Sequence, residues 1–256
     1  MILLIDAGNT SLKWAVLDAD TLQAGGCLMH AGQDVREIAT RAWSELPAPE
    51  RVLIGNVGGD RLARSLRAWM KRSWRLIPEF VLAGESAGGV ANGYQQPERL
   101  GIDRWAAMVA ARRHTEGPAC VVDCGTAITI DVLGADGAHL GGLITPGLGL
   151  MRRSLVEATR GISDDDDAPL VQDGQVCLLG RDTRGAVAGG ALYAAVALID
   201  RVLADMRAEA GDHIAALVTG GDAPTVLPLL AGPVRHQPDL VLEGLAILAR
   251  ETSCAS

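Results

Sequence analysis

Ile5-Asp6-Ala7-Gly8-Asn9-Thr10, near the start of the chain, and Val122-Asp123-Cys124-Gly125-Thr126-Ala127, near its middle, say nearly the same thing twice. Each follows an apolar run, Met1 to Ile5 or Ala119 to Val122. Each leads into an alternating segment, Leu12-Lys13-Trp14-Ala15-Val16 or Ile128-Thr129-Ile130-Asp131-Val132. Alternation with a period of two marks a half-buried strand, so both copies read as strand, tight turn, strand. Glycine allows the sharp turn and a close approach to a ligand. Successive N–H groups in such a turn form an anion-binding concavity, and the carboxylate just before it suits a hydrated cation. Ordinary turn chemistry selects the same residues, so one copy alone is ambiguous. Two copies in matching strand contexts point to paired turns that grip a nucleotide's phosphate tail between two half-molecules.

Outward from the first copy, Gln23 to Met29 reads as a third strand and Val35 to Glu45 as a helix. Val52-Leu53-Ile54 is a short strand ending in Gly55-Asn56-Val57, and Asp60 to Lys71 has helical periodicity. Phe80 to Ala83 is another strand, and a polar loop, Gly84 to Arg99, leads into a helix from Asp103 to His114. The second copy restarts at Ala119. It turns at Gly134-Ala135-Asp136-Gly137 and returns through Leu140 to Thr145. A helix follows Pro146-Gly147 as far as Thr159, and Asp164 to Pro169 is an acidic loop. A long helix runs from Thr183 to Glu209, a strand from Ile214 to Val218, and a last helix from Asp239 to Arg250. Three strands, then helix and strand, repeated once, is a duplicated α/β chain. It divides into lobes 1–117 and 118–256, each ribonuclease-H-like, the architecture of the actin-like and sugar-kinase superfamily with the nucleotide cleft between lobes.

Composition narrows the classes. Of 256 residues 48% are apolar, enough for a sizeable core, and the net charge of −8 argues against a nucleic-acid or anionic-membrane surface. The cations from Arg61 to Arg75 read as a solvated helix face. Five scattered cysteines, an odd number, outline neither a disulfide framework nor a metal cluster, and reduced cytoplasm is the expected setting. Met1 to Ile5 runs into Asp6 without a basic leader. The apolar stretch Ala186 to Ile199 falls short of the roughly 20 residues that span a bilayer and reads as a buried helix. Walker A, G-x-G-x-x-G and G-x-S-x-G sequences are absent, and the histidines lack ligand spacing. Nucleotide binding therefore rests on the paired hairpins.

Gly101-Ile102-Asp103-Arg104 sits where a polar loop enters a helix. Asp103 reads either as a first-turn carboxylate favoured by the helix dipole or as a base aimed into a cleft. In the second case Arg104 is a bidentate donor for an anionic substrate. Tyr94 in the same loop is a substrate wall or a rim residue. Asp164 to Asp167 read as a solvated loop, and Gly220-Gly221-Asp222 as an adenosine-side turn or an ordinary one.

Together these residues strongly resemble a type III pantothenate kinase from end to end. The likeness runs through Asp6 to Thr10, Tyr94, Gly101 to Arg104, Asp123 to Ala127, Gly142-Leu143-Ile144-Thr145-Pro146-Gly147, Asp182-Thr183 and Gly220 to Asp222. The resemblance implies phosphorylation of pantothenate by ATP. Asp6, Ala7, Gly8, Asn9, Thr10, Ser11, Leu12 and Lys13 would form the first phosphate loop, with Asp6 near magnesium through water and Thr126 also on ATP. Tyr94, Gly101, Ile102, Asp103, Arg104 and Thr183 would line the pantothenate pocket, Asp103 taking the proton. Asp123 would bind a monovalent cation, potassium or ammonium. It also implies a cytoplasmic homodimer whose partners are pantothenate and ATP, without nucleic acid or membrane. Three places depart from the family pattern: Ile128 where threonine is common, Ala15 where glycine is frequent, and Gly55-Asn56 where serines are usual. Rival readings are a phosphohydrolase on the same scaffold and a nucleotide-binding regulatory factor without turnover.

Overall fold

Local sequence dictates two sheets of the same plan. In the computed structural model, which describes residues 1–30, 32–159, 162, 171–172, 175–176, 179–210 and 213–254, the chain divides into two compact units. The first comprises Met1–Glu116, Gly137–His139 and Asp239–Ser256, the second Gly117–Asp136 and Leu140–Pro238. The division differs from a cut at 117/118 in three places: Gly117 opens the second unit, and the last helix and three residues at the tip of a hairpin belong with the first.

The first unit opens on β1 (Ile2–Ala7), β2 (Ser11–Asp18) and β3 (Thr21–Met29), an antiparallel meander with a register shift between Trp14 and Ala15. After α1 (Val35–Trp43), β4 (Arg51–Asn56) lies parallel to β1, and after α2 (Gly59–Trp74), β5 (Glu79–Val81) lies parallel to β4. The order β3-β2-β1-β4-β5 follows. Side chains alternate across a strand, and the two faces bury against different helices. Leu3, Ile5 and Ala7 pack with Ile38, Trp43, Leu62, Leu66 and Met70 of α1 and α2. Trp14, Trp43, Trp69 and Trp74 meet there, three of their contacts edge to face at 4.9–5.9 Å between centroids, a geometry that aromatic quadrupoles favour. The opposite face, carrying Leu4 and Asp6, meets α3 (Ile102–His114) and α7 (Leu240–Cys254). The polar loop before α3 carries a small hairpin, β6 (Ser86–Ala87) and β7 (Val90–Ala91), too short for hydrophobic periodicity to reveal.

The second unit repeats the plan. Its strands are β8 (Ala119–Cys124), β9 (Ala127–Leu133), β10 (His139–Pro146), β13 (Ala215–Thr219) and β14 (Arg235–His236), in the order β10-β9-β8-β13-β14. The short pair β11 (Val171–Gln172) and β12 (Gln175–Val176) stands apart. Helices α4 (Leu148–Ala158), α5 (Thr183–Ala210) and α6 (Ala223–Val226) complete it. By length and composition Thr183–Glu209 could cross a membrane. Its inner face, Leu192, Ala195, Ile199 and Leu203, instead fills the core against Cys120, Val122 and Ile130. Asp200 accepts the Ala231 N–H, and Arg201 pairs with Asp205, so the helix reads as the core element the sequence suggests. The acidic run Asp164 to Asp167 lies outside the described residues.

Why the last helix joins the first unit is a matter of close packing. A Cβ at Gly244 would lie 1.9 Å from the Ala106 carbonyl oxygen, so only glycine lets α7 sit against α3. His114 Nε2 and Glu243 Oε2, 2.6 Å apart, tie the same two helices. Gly244→Ala should therefore lower stability by about 1–3 kcal/mol, as overpacking does, measured by urea unfolding. An unchanged midpoint would mean the helices separate at no cost.

Candidate active site

In the first unit the turn after β1 is built by its own backbone. Gly8 N–H donates to the Ser11 carbonyl at 3.0 Å, and the Thr10 and Gly8 carbonyls are held by the His30 N–H and ring nitrogen at 2.9 Å each. Val57 and Gly58 N–H groups both reach the Ala7 carbonyl. A Cβ at Gly58 would stand 2.7 Å from the Gly8 oxygen, so glycine there permits the β4–α2 turn to pass close under the first. Asn56 shapes that second turn, its side chain accepting from the Gly58 N–H and donating to the Gly59 carbonyl, both at 3.2 Å. Asn56 thus has a local task in this turn.

Asp6 and Lys13 face each other across the β1–β2 pairing, and directly opposed residues share a sheet face. Both are half-buried, and Asn9 at the tip is exposed. Ala7 and Leu12 are fully buried, so only their backbone is available to a ligand. Asp6 pairs in register with Gly55 on its other side. The space a Gly55 side chain would take is occupied by Ile102 at 3.4 Å and Leu245 at 3.3 Å. That close packing brings the start of α3 to the face and strand end where Asp6 emerges.

At that helix start Asp103 Oδ1 accepts the Arg104 N–H at 2.8 Å. A Gly101 Cβ would crowd the same oxygen at 2.6 Å. Ile102 is buried in packing, whereas Asp103 is half-exposed. Arg104 is only 6% exposed. Its Nη1 donates to the Tyr94 hydroxyl at 2.8 Å, and its guanidinium lies 5.7 Å from that ring's centroid. His139 stacks on the same ring. The sequence gives no sign of this contact, because its partners lie 45 residues apart in a hairpin tip and a loop.

In the second unit three turns converge. The Cys124–Ala127 turn closes through Gly125 N–H to the Ala127 carbonyl, Gly147 N–H reaches Thr126 O at 2.9 Å, and Asp222 N–H reaches Cys124 O at 2.8 Å. Gly220, at φ +99°, has its missing side chain replaced by the Cys124 carbonyl at 2.4 Å and Asp123 Oδ1 at 2.5 Å. This is a cradle that a Cβ would fill, and it seats the Asp123 carboxylate. Thr126 is half-buried beside it, whereas Ile128 lies fully in the core, where a threonine hydroxyl would need a partner. Thr183 is exposed at the first position of α5, next to Asp182, whose Oδ1 takes the Gly185 N–H at 2.7 Å. The structure thus gathers Asp6, Lys13 and Gly101 to Arg104 in one unit and Asp123, Thr126 and Thr183 in the other.

Electrostatics agree with a sequestered, anionic corner. Burial, then the charges of Asp123 and Asp222, push the Cys124 thiol up to about 12. Burial pushes Asp222 above its ordinary value, with Arg152 opposing. Among the described residues no three of His, Cys, Asp and Glu converge on a metal.

Two mixed sheets of identical order, each opening on the same glycine turn, define a duplicated actin-like fold. A ROK family glucokinase from Streptomyces griseus, solved with glucose and AMPPNP, shares this fold at TM-score 0.50, 14% identity and 98% and 99% coverage of the two chains. A Baf family transcriptional activator from Campylobacter jejuni, so described, matches at TM-score 0.58, 20% identity and 98% and 99% coverage. The family model described as type III pantothenate kinase matches residues 2–205. A type III pantothenate kinase from Nitrosococcus oceani is 44% identical over 99% of this chain and 95% of its own. The chain belongs to the type III pantothenate kinase family.

The raised Asp222 titration gives a pH test. A carboxyl whose folded pKa lies above its unfolded value, 3.8 here, holds its proton longer in the folded state, so its stability contribution falls as pH rises through that window. Asp222→Asn should raise the melting temperature at pH 7, with the gain shrinking as pH falls toward 4 (about the unfolded value). A gain that grows on acidification would contradict the burial argument.

Proposed function

We propose that the chain transfers the γ-phosphoryl group of ATP to the primary hydroxyl of pantothenate, giving 4'-phosphopantothenate, the first step of coenzyme A synthesis in the cytoplasm. The observation that carries this reading is positional. The family's ordered residues fall on strand-end turns and helix starts, and Gly55 packing brings Asp6 and the start of α3 to one sheet end. An O–P bond forms at the acceptor hydroxyl as the bond from the γ-phosphorus to the ADP oxygen breaks, and the hydroxyl proton passes to Asp103. Such transfer is loose and charge-rich, so positioning and electrostatics dominate.

The Gly8–Ser11 turn meets phosphate at its exposed Asn9 tip, Lys13 adds a cation on the Asp6 face, and Thr126 contacts ATP. Arg104 offers the pantothenate carboxylate a rigid fork beside Tyr94, Gly101 and Ile102, with Thr183 contributing a hydroxyl. Half-exposed Asp6, in a chain where no three of His, Cys, Asp and Glu converge among the described residues, fits magnesium, which keeps its waters and binds through one or two carboxylates plus substrate phosphates. Asp6 would hold it through water. Asp123 in its glycine cradle fits an oxygen-ligated monovalent cation, potassium or ammonium. The cations, when bound, spread the charge of the transferring phosphoryl group.

A homodimer completes the proposal. Leu140, Leu143 and Ile144 stand exposed on the edge strand β10, Ile144 at 65%, and Leu150, Leu155 and Tyr193 are exposed on α4 and α5. An apolar edge strand left bare invites pairing.

ADP release with magnesium-ATP should require pantothenate and run faster in potassium than in sodium. Release without acceptor would indicate a phosphohydrolase, and ATP binding without turnover a regulatory protein. Asp103→Asn should lower kcat by about a hundredfold or more, the scale of lost acid–base help, with ATP affinity retained. Near-normal turnover would remove Asp103 from its role. Leu143→Glu should shift the protein toward monomer in sedimentation velocity, and an unchanged dimer would move the interface elsewhere.

A further inference from the structure

We infer that His139 is a positioning residue of the acceptor site: by stacking on Tyr94 it fixes the plane of that ring, and with it the geometry in which Arg104 is offered. The inference rests on the reading that Tyr94 and Arg104 receive pantothenate.

Tyr94 is restrained at two points along its length. Its N–H donates to Asn92 Oδ1 at 3.0 Å, and Asn92 is itself anchored by donating to the Gly84 and Pro97 carbonyls. Its hydroxyl accepts from Arg104 Nη1 at 2.8 Å. Neither restraint sets the ring plane. The hydroxyl oxygen lies on the axis about which a tyrosine ring turns, so a hydrogen bond there leaves that rotation open, and the last torsion of tyrosine is intrinsically broad. A flat neighbour resists the rotation. The imidazole of His139 lies 5.9 Å from the Tyr94 centroid with the two planes 16° apart. That is an offset stack within the favoured aromatic range.

The backbone is built to deliver His139 there. Gly137 to His139 form the tip of the β9–β10 hairpin and belong to the first unit. The Gly137 carbonyl accepts the Ala91 N–H at 3.0 Å, and Ala138 bridges Ala91 in parallel. A Cβ on Gly137, at φ +84°, would fall 2.1 Å from the Gly89 oxygen, and a Cβ on Gly93 would fall 2.1 Å from the His139 oxygen. Two glycines on facing segments thus allow the backbone contact that seats the imidazole, which is only 4% exposed. Arg104 Nη1 donates to the hydroxyl at 2.8 Å from beyond the ring, and because a phenolic oxygen accepts best near its ring plane, the plane that the stack holds sets the direction in which the guanidinium donates.

The test compares His139→Leu, which removes the flat ring, with His139→Phe, which keeps one. Loss of a stack of this kind should raise the KM for pantothenate about three- to tenfold. The KM for ATP should stay unchanged and kcat should hold within about twofold, with His139→Phe restoring the wild-type KM. Ring rotation supplies a readout free of turnover, because the chain has two tyrosines and Tyr193 on α5 serves as internal control. In protein carrying 13C-labelled tyrosine, the Tyr94 flip rate measured by NMR should rise in His139→Leu and return in His139→Phe, with Tyr193 unmoved. Should His139→Leu fail to fold, His139→Gln replaces it with the same expectations. An unchanged Tyr94 flip rate, or failure of phenylalanine to restore the KM, overturns the inference. If wild-type protein turns over no pantothenate, the functional reading fails by itself, and the flip rates still decide what His139 does.

Discussion

Everything in both units depends on backbone passing close to backbone at the ends of the central strands. The carbonyl of Gly8 and the chain at Gly58 in one unit, and the carbonyls of Gly125 and Cys124 against Gly147 and Gly220 in the other, lie nearer than any Cβ allows. Each contact packs turns around a strand end, so that N–H groups and a carboxylate share one small volume. A side chain larger than hydrogen at these points would separate the turns and disperse the polar groups gathered there. Glycine costs conformational entropy in the unfolded chain, and here that cost goes with the convergence of the functional groups.

Around that constraint the two units solve the same burial problem with different partners. The first covers its sheet with α1 and α2 on one face and with α3 and α7 on the other, borrowing its last helix from the end of the chain. The second buries the apolar inner face of α5 against β8. An apolar helix of that length passes for a membrane span by composition, and the packed row Leu192, Ala195, Ile199 and Leu203 is what gives it another role. Individual positions around these turns carry packing roles as well. Gly55 makes room for α3 and α7, Asn56 ties the β4–α2 turn, and Ile128 is core.

The duplicated strand–turn–strand, the helix opening at Asp103 and the long helix from Thr183 were legible in sequence, because alternation, glycine turns and apolar periodicity are local signals. The same locality set the limits. β6 and β7 are two residues each, below any period, and the turn signal after β9 gives no hint that its tip joins the other unit. The candidate residues Ala7, Leu12 and Ile102 looked like their neighbours in the motifs, yet their side chains are spent on packing.

By itself the sequence determined the repeated α/β plan, the two glycine turns with their carboxylates, and the family, since each of these is written in short runs of adjacent residues. Tertiary structure alone decided that the last helix completes the first unit, that the start of α3 packs at Gly55, the register partner of Asp6, and that His139 lies on Tyr94. These are contacts between residues tens to hundreds of positions apart. They are selected by the fit of one surface against another, and no local pattern encodes that fit.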